Sequence, residues 1–125
     1  LLMYAEAMNE VGKTTESAAV LNRVRERAFG DKTHNVTGLG KDALREKIYQ
    51  ERRLELSNEG QRWFDLVRTD RFVQVMKAHG EKEAKLAESN KTTISANVKD
   101  YQVLFPIPQV ELDINSALTQ NPGWN

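Results

Sequence analysis

Residues 42–59 read DALREKIYQERRLELSNE, and their pattern says more about the architecture than any other segment. The segment contains neither proline nor glycine, so nothing in it interrupts a helix. At about 100° per residue, Leu44 and Ile48 fall on one face, and Glu51 and Glu55 fall on the same face further along. The pattern predicts one long helix over residues 42–59 whose inward face begins apolar and continues as charge.

Carboxylates on an inward face need cations beside them, because an isolated buried charge is very costly. Glu51 and Glu55 are therefore expected to be ion-paired. A guanidinium fork can hold two carboxylates at once. The cations that the neighbouring sequence offers are Arg52, Arg53, Arg62 and Arg68. We expect these charges to form a structural ion network that fixes helix packing rather than one that adds much stability.

A catalytic interpretation of the two glutamates has little support. Glycoside hydrolysis needs two carboxylates on opposite sides of the scissile bond, whereas Glu51 and Glu55 point the same way. A helix-borne di-metal site would need Glu-x-x-His motifs, which the sequence lacks. His34 in a predicted loop and His79 near a predicted helix end are expected at the surface. We therefore predict no catalytic residue, no metal ligand and no cofactor.

A predicted helical hairpin precedes the long helix. Residues 12–15 break the chain between two helical segments. In the second segment, Val20, Leu21, Val24 and Ala28 fall within about a third of the helical wheel. Two helices joined by a short turn containing glycine make a hairpin, and the order of small and large residues is similar to that of a tetratricopeptide unit.

The first helix, within residues 1–10, is apolar around most of its circumference. Its polar residues Glu6, Asn9 and Glu10 gather in one arc. Such a helix is expected to have neighbours on several sides. Because the chain opens directly in apolar helix-forming residues, we expect it to be a fragment of a longer protein.

The second half of the chain predicts shorter helices and an irregular end. Helices are expected over residues 62–68 and 72–79, followed by a polar, partly helical excursion over residues 80–100 with a loop at residues 92–93. Residues 103–108 contain two prolines and cannot be helical. One or two helical turns over residues 109–115 and a closing turn complete an all-α fold.

Six of the nine aromatic residues fall into two groups. Three lie at helical spacing and are expected in the core: Tyr4, Trp63 and Phe64. Three others lie in extended or loop segments, where core packing and ligand stacking both stay open: Tyr101, Phe105 and Trp124.

Composition excludes several classes of protein. The 125 residues carry 18 Lys and Arg against 18 Asp and Glu, and no cysteine. Balanced charge argues against nucleic-acid binding, which needs a basic face. Without cysteine there is no zinc ribbon, thiol catalysis or disulfide scaffold. No apolar run reaches the roughly 18 residues of a membrane span. Residues 38–41 resemble part of a phosphate loop but lack its spacing, so they predict a turn.

Several segments together resemble the C-terminal region of SusD/RagB-like nutrient-binding lipoproteins. They are ERRLEL at residues 51–56, EGQRWFDLVR at residues 59–68, LFPIPQ at residues 104–109 and LTQNPG at residues 118–123. The hairpin within residues 1–29 is also similar. Two departures are Asp70, where a glycine is often found, and Trp124 in place of a tyrosine; residues 71–103 match no pattern.

The resemblance implies that residues 1–125 are the C-terminal part of a SusD-like domain. It further implies a lipoprotein exposed on the bacterial outer membrane, attached only through an N-terminal lipid anchor outside this chain. Such a protein binds an oligosaccharide, or sometimes a peptide, without chemistry and delivers it to a SusC-like TonB-dependent transporter. The residues that match the family signature form the expected ion network: Glu51, Arg52, Glu55, Glu59, Arg62, Asp65 and Arg68.

The resemblance transfers no ligand-contact residue onto this chain. Two functions therefore stay open: nutrient binding by this segment, or a purely helical scaffold whose partner is the transporter or the remainder of its own chain. Binding predicts exposed aromatic residues such as Tyr101 or Trp124 beside a concavity. A scaffold predicts that every large aromatic side chain is buried.

Overall fold

The computed structural model describes residues 1–86 and 94–124. Within these ranges the backbone forms α-helices and two short 3₁₀ helices but no strand. The α-helices are α1 (Leu2–Glu10), α2 (Thr14–Phe29), α3 (Lys41–Glu55), α4 (Gln61–Arg68), α5 (Phe72–Leu86) and α6 (Gln109–Ile114), and the 3₁₀ helices span Ile94–Asn97 and Asp100–Val103. The predicted all-α class is confirmed, with its helical hairpin, long helix and irregular C-terminal segment containing proline.

The first of two compact units, residues 1–62, is built on the hairpin of α1 and α2. Gly12 turns the chain between them with a φ of 84°, which glycine adopts without steric cost. The buried Ser17 hydroxyl donates to the Ala5 carbonyl at 2.6 Å and so links the two helices. Helix α3 packs against both. The core that the three helices share consists of Leu2, Ala5, Leu21, Val24, Leu44 and Ile48.

The polar arc of α1 makes the contact with α3. Asn9 is fully buried, and its Nδ2 donates to the Lys41 carbonyl at 2.8 Å. Glu10 forms an ion pair with Arg45. Tyr4 lies on the other side of α1 and is 56% exposed. Its predicted place in the core is therefore wrong, because the face of α1 that packs into the core carries Leu2 and Ala5 beside the polar arc, and Tyr4 points away from that face.

Helix α3 ends at Glu55, about one turn before its predicted end. The chain then turns through Asn58 and Gly60, whose φ angles of 70° and 72° are left-handed and incompatible with a continuing helix. Glu59 therefore leaves the helical face on which the periodicity placed it, and it is exposed. Ala28, predicted on the buried face of α2, is also exposed in the last turn of that helix.

The second unit, residues 63–125, contains an aromatic pair between α4 and α5. The rings of Trp63 and Phe72 meet edge to face with their centroids 4.6 Å apart. Leu66 is buried, whereas Phe64 is 64% exposed, so its predicted core position is wrong. Consecutive residues of a helix point about 100° apart, so Trp63 and Phe64 cannot both face the same neighbour.

Helix α5 continues to Leu86, well past its predicted end at His79. The segment expected to be a partly helical excursion is thus helical through residue 86. Gly80 is buried in the middle of this helix. The loop predicted at residues 92–93 lies outside the described residues.

Helix α4 ends in a Schellman motif, a common way of closing a helix. The N–H of Arg71 donates to the Leu66 carbonyl at 2.9 Å, and the N–H of Asp70 donates to the Val67 carbonyl at 3.1 Å. Asp70 takes the left-handed position of the motif with a φ of 54°. Glycine usually occupies it, because left-handed backbone costs other residues roughly 1 to 2 kcal/mol, although aspartate tolerates it comparatively well.

Side chains near the C-terminus hold the extended segment over residues 104–108. Gln120 makes two hydrogen bonds with the backbone of Ile107: Ile107 N–H donates to Oε1 at 2.8 Å, and Nε2 donates to the carbonyl at 2.9 Å. Asn121 Nδ2 donates to the Phe105 carbonyl at 2.7 Å, and Trp124 Nε1 donates to the Leu104 carbonyl at 2.9 Å. These amide and indole groups provide hydrogen bonds to the backbone of a segment whose prolines lack the N–H donors needed for regular secondary structure.

Two leucines of α3 provide a direct test of this core. Leu44→Ala should lower the free energy of unfolding by roughly 3 kcal/mol, because Leu44 is fully buried and its truncation leaves a cavity. Leu54→Ala should cost less than about 0.5 kcal/mol, because Leu54 is 62% exposed. Equilibrium unfolding in urea measures both losses. Equal losses for the two variants would contradict the assignment of the inward face.

Candidate functional site

Glu51 of α3 is held by an arginine of α2. Arg25 Nη1 donates to Glu51 Oε2 at 2.5 Å, and the exposed fractions of these side chains are 17% and 7%. Arg25 Nε also donates to the His34 carbonyl at 2.7 Å. One guanidinium thus links α2 and α3 with the loop between them. Charge-assisted bonds of this kind are short and strong when water is largely excluded.

The second predicted carboxylate, Glu55, pairs with Arg27 of α2 near the surface. The Arg27 side chain is 67% exposed and that of Glu55 is 27% exposed. Arg52, buried on α3, approaches Glu6 of α1 at 4.0 Å between its Nε and a carboxylate oxygen. In these contacts, the charged side chains of α3 therefore pair with residues of α1 and α2.

This choice of partners differs from the expected one. The arginines offered by the neighbouring sequence were those at positions 52, 53, 62 and 68, yet Glu51 and Glu55 pair with Arg25 and Arg27. Arg53 is exposed. A signal for Arg25 was present in the sequence, because it lies four residues after Leu21 and so on the buried face of α2. Periodicity identifies the inward face but not the side chain that meets it.

The other members of the expected network are distributed over both units. Glu59 is exposed in the turn after α3, and Arg62 is half-buried in α4. Asp65 and Arg68 belong to the second unit and pair with each other along α4 at 2.8 Å. That the whole signature set fixes the packing of the fold stays a prediction.

The protonation of the Glu10 carboxylate is strongly perturbed by its cationic neighbours. Arg45 donates to it through Nε at 2.5 Å and through Nη2 at 2.8 Å, and Lys41 Nζ lies 3.4 Å from Oε2. The hydrogen bond from Arg45, followed by that from Lys41, lowers the pKa of Glu10 from 4.5 to about 2. This carboxylate is therefore a charged anchor between α1 and α3 at neutral pH.

A cavity of about 500 Å³ opens in the first unit. Apolar side chains and charged groups share its wall, and among the latter Arg27 pairs with Glu55 and Arg52 approaches Glu6. The lining residues are Leu1, Leu2, Met3, Arg23, Val24, Arg27, Arg52, Glu55, Leu56, Glu59 and Gln61. Much of the charge in this cavity is thus already engaged within the protein.

A smaller cavity of about 350 Å³ lies in the second unit. We call it the α5 cavity, because its wall includes the start of α5. The lining residues are Val67, Asp70, Phe72, Val73, Gln74, Lys77, Asp100 and Val103. The four polar side chains of this wall are exposed and make no hydrogen bond or ion pair within the part of the chain that the structure describes.

Residues 1–86 and 94–124 contain no group of three or more His, Cys, Asp or Glu side chains that could hold a metal ion. None of the helices described there is both long enough and apolar enough to cross a membrane. His79 contacts Glu83 at 3.2 Å along α5, and His34 stacks on Phe29 with a centroid distance of 4.0 Å.

Comparison with known proteins identifies the family. The model of the SusD family matches residues 1–124. The chain belongs to the SusD family. Two SusD-like proteins of Formosa agariphila match nearly its whole length. P25 is 34% identical over 125 residues, which cover 99% of this chain and 22% of P25. P2 is 36% identical over 131 residues, which cover 99% of this chain and 24% of P2.

A third relative is more similar over a shorter range. SusD-like protein P38 of the same organism is 44% identical over 82 residues, which cover 61% of this chain and 16% of P38. No solved structure matches the chain significantly. This SusD-family chain thus spans about a quarter or less of the length of each of these relatives.

The buried and the exposed ion pairs of the SusD-family chain should differ in their effect on stability. Glu51→Ala leaves Arg25 largely buried without its carboxylate and should cost roughly 3 to 5 kcal/mol. Glu55→Ala leaves an arginine that water can solvate and should cost less than about 1 kcal/mol. Thermal melts of both variants, with Lys85→Ala as an exposed control, measure the difference.

The Glu10 pair predicts a specific loss of stability in acid. Because the folded-state pKa is depressed, its stabilisation is present above pH 4.5 and is lost as the pH falls from 4.5 towards about 2. The free energy of unfolding of wild type should exceed that of Glu10→Gln at neutral pH and approach it over this window. A difference between the two proteins that does not change with pH would contradict the assignment.

Proposed function

We propose that residues 1–125 are the C-terminal part of a non-enzymatic, nutrient-binding lipoprotein at the surface of the bacterial outer membrane. Its ligand is an oligosaccharide, with a peptide as the other class known in the family. It passes this ligand to a SusC-like TonB-dependent transporter. The observation that carries the proposal is the match of the SusD family to residues 1–124. The lipid anchor belongs to a part of the protein outside these residues.

The charged groups of the signature support binding without turnover. Glu51 and Glu55 are each engaged by an arginine of α2. They project from one side of α3, so they cannot stand on opposite sides of a glycosidic bond. These residues are suited to holding helices together.

Exposed rings in the second unit favour a contribution of this segment to ligand binding. Phe105 is 73% exposed and lies beside Trp63, with ring centroids 5.8 Å apart. Tyr101 is 36% exposed and meets Trp124 edge to face at 5.1 Å. Aromatic surfaces with a few polar groups nearby are typical of small-molecule sites. A segment that served only as a scaffold is expected to bury these rings.

A helical scaffold without a ligand site is the second candidate function. The observation in its favour is that Phe72 is the aromatic residue of the α5 cavity wall, and it is buried. Asp100 and Val103, three residues apart on a 3₁₀ helix, share the face that lines the cavity, so Tyr101 between them points about 120° away. In this interpretation the ligand contacts lie in other parts of the protein.

Affinity measurements on the full-length protein separate the two functions. Calorimetric titration with soluble polysaccharides should show binding, and the polymers should keep their chain length afterwards. Phe105→Ala should weaken binding about tenfold, or roughly 1.4 kcal/mol, through loss of a stacking surface. Phe64→Ala is the matched control, since this ring is similarly exposed on α4.

The results of these measurements distinguish ligand binding by this segment from a purely structural role. Binding that is unchanged by Phe105→Ala would favour the scaffold. Shortened polymer chains would contradict a non-enzymatic role. Copurification of a TonB-dependent transporter with the full-length protein from membranes tests the proposed partner, and its absence after mild detergent extraction would count against that partner.

A further inference from the structure

The α5 cavity differs from the cavity of the first unit in the state of its polar groups. In the first unit, Arg27 and Glu55 already form an ion pair with each other. In the α5 cavity, Asp70, Gln74, Lys77 and Asp100 make no such contact among the described residues. As far as the described residues are concerned, these side chains can therefore form hydrogen bonds with an incoming molecule. The lining of the cavity combines hydrogen-bond acceptors and donors with apolar side chains.

The charges of the wall favour a cationic ligand. Asp70 and Asp100 bring two carboxylates, and Lys77 brings one ammonium group, so negative charge is in excess. Two carboxylates can accept several hydrogen bonds from one ammonium group. Gln74 can both donate to and accept from hydroxyl groups. Valine side chains and the edge of Phe72 supply an apolar surface for the body of the ligand.

The size of the cavity limits the ligand to a small molecule. A volume of about 350 Å³ lies at the low end of the range found for ligand pockets. This suits one sugar ring rather than an extended chain. An ammonium group on a ring rich in hydroxyls is the chemistry of a hexosamine.

The backbone at Asp70 supports a role for its side chain in the cavity. The Schellman motif at the end of α4 places Asp70 in the left-handed conformation, with a φ of 54°. Glycine would satisfy this backbone more easily, yet the chain carries a carboxylate there, and it lines the cavity. Asparagine and glycine are both compatible with this conformation. Either can therefore replace Asp70 without disturbing the turn.

We infer that the α5 cavity is a binding subsite for the ammonium-bearing ring of a hexosamine. Asp70 and Asp100 hold the ammonium group, while Gln74 and Lys77 bind hydroxyl oxygens. The inference rests on the proposed function in taking the ligand to be a sugar, and it adds a location and a chemical class to that function.

Saturation-transfer NMR with the full-length protein tests the subsite. Glucosamine and glucose are the probes, because they differ at one position by an ammonium group in place of a hydroxyl. At about pH 6.5, where an aliphatic amine is protonated, glucosamine should bind at least threefold more tightly than glucose. Asp70→Asn and Asp100→Asn should each weaken glucosamine binding at least threefold. Asp70→Gly should do the same, which separates loss of the carboxylate from any disturbance of the turn.

Glu81→Gln provides a matched control, since Glu81 is an exposed carboxylate of α5 that does not line the cavity. It changes the net charge equally and should leave glucosamine binding unchanged. Equal binding of glucose and glucosamine, or equal loss in Glu81→Gln and Asp70→Asn, would overturn the inference.

Polysaccharide titration of the same protein samples separates this inference from the proposed function. Polysaccharide binding without selective glucosamine binding would remove the subsite and leave the proposed function standing. Absence of both polysaccharide binding and selective glucosamine binding would contradict the proposed function and the subsite alike. Selective glucosamine binding that Asp70→Asn abolishes, together with retained polysaccharide binding, is the result expected for a separate subsite.

Discussion

The contact between Arg25 and Glu51 is the interaction on which the first unit depends most. Removing two charges from water is favourable only when each finds its partner at close range, and here the oxygen and nitrogen lie 2.5 Å apart. Because Arg25 also binds the His34 carbonyl, the pair fixes α2, α3 and the intervening loop in one arrangement. The interdigitated apolar core and this largely buried ion pair therefore act on the same helices, and we expect the ion pair to add specificity rather than much stability.

The sequence was sufficient for the helical class and for the inward face of α3, because both follow from local periodicity. Leu44 and Ile48 are buried, and the carboxylate of Glu51 follows them on the same face. The partners of these charges were not predictable, since they come from helices distant in sequence. The same limit explains Tyr4 and Phe64, because an apolar residue on a helix is buried only if a neighbouring element covers that side. Left-handed backbone at Asn58 shortened α3, and no helical wheel includes such a turn.

The candidate sites were still less accessible to prediction than the fold. The α5 cavity brings Asp70, at the end of one helix, near Asp100, on a 3₁₀ helix thirty positions later in the sequence. Neither residue belongs to a recognisable motif, and residues 71–103 matched no pattern at all. Asp70 alone gave a signal, as a departure from the glycine that its position favours. A departure from a local rule often marks a residue whose side chain has another role.

The ion pairs of the first unit and the polar side chains of the α5 cavity therefore use charge in opposite ways, and this difference bears on where ligands can bind. A polar group that is already paired must lose its partner before it can bind a ligand. The free energy needed to break the ion pair therefore opposes ligand binding at that group. Arg25, Glu51 and Glu10 are committed in this sense, which makes the helices of the first unit a rigid support. Asp70 and Asp100 are exposed, and their side chains make no hydrogen bond or ion pair with the residues that the structure describes, so a ligand has no such pair to break there. Under the proposed function, recognition is therefore expected from residues other than Glu51 and Glu55, because an arginine of α2 already engages each of these carboxylates.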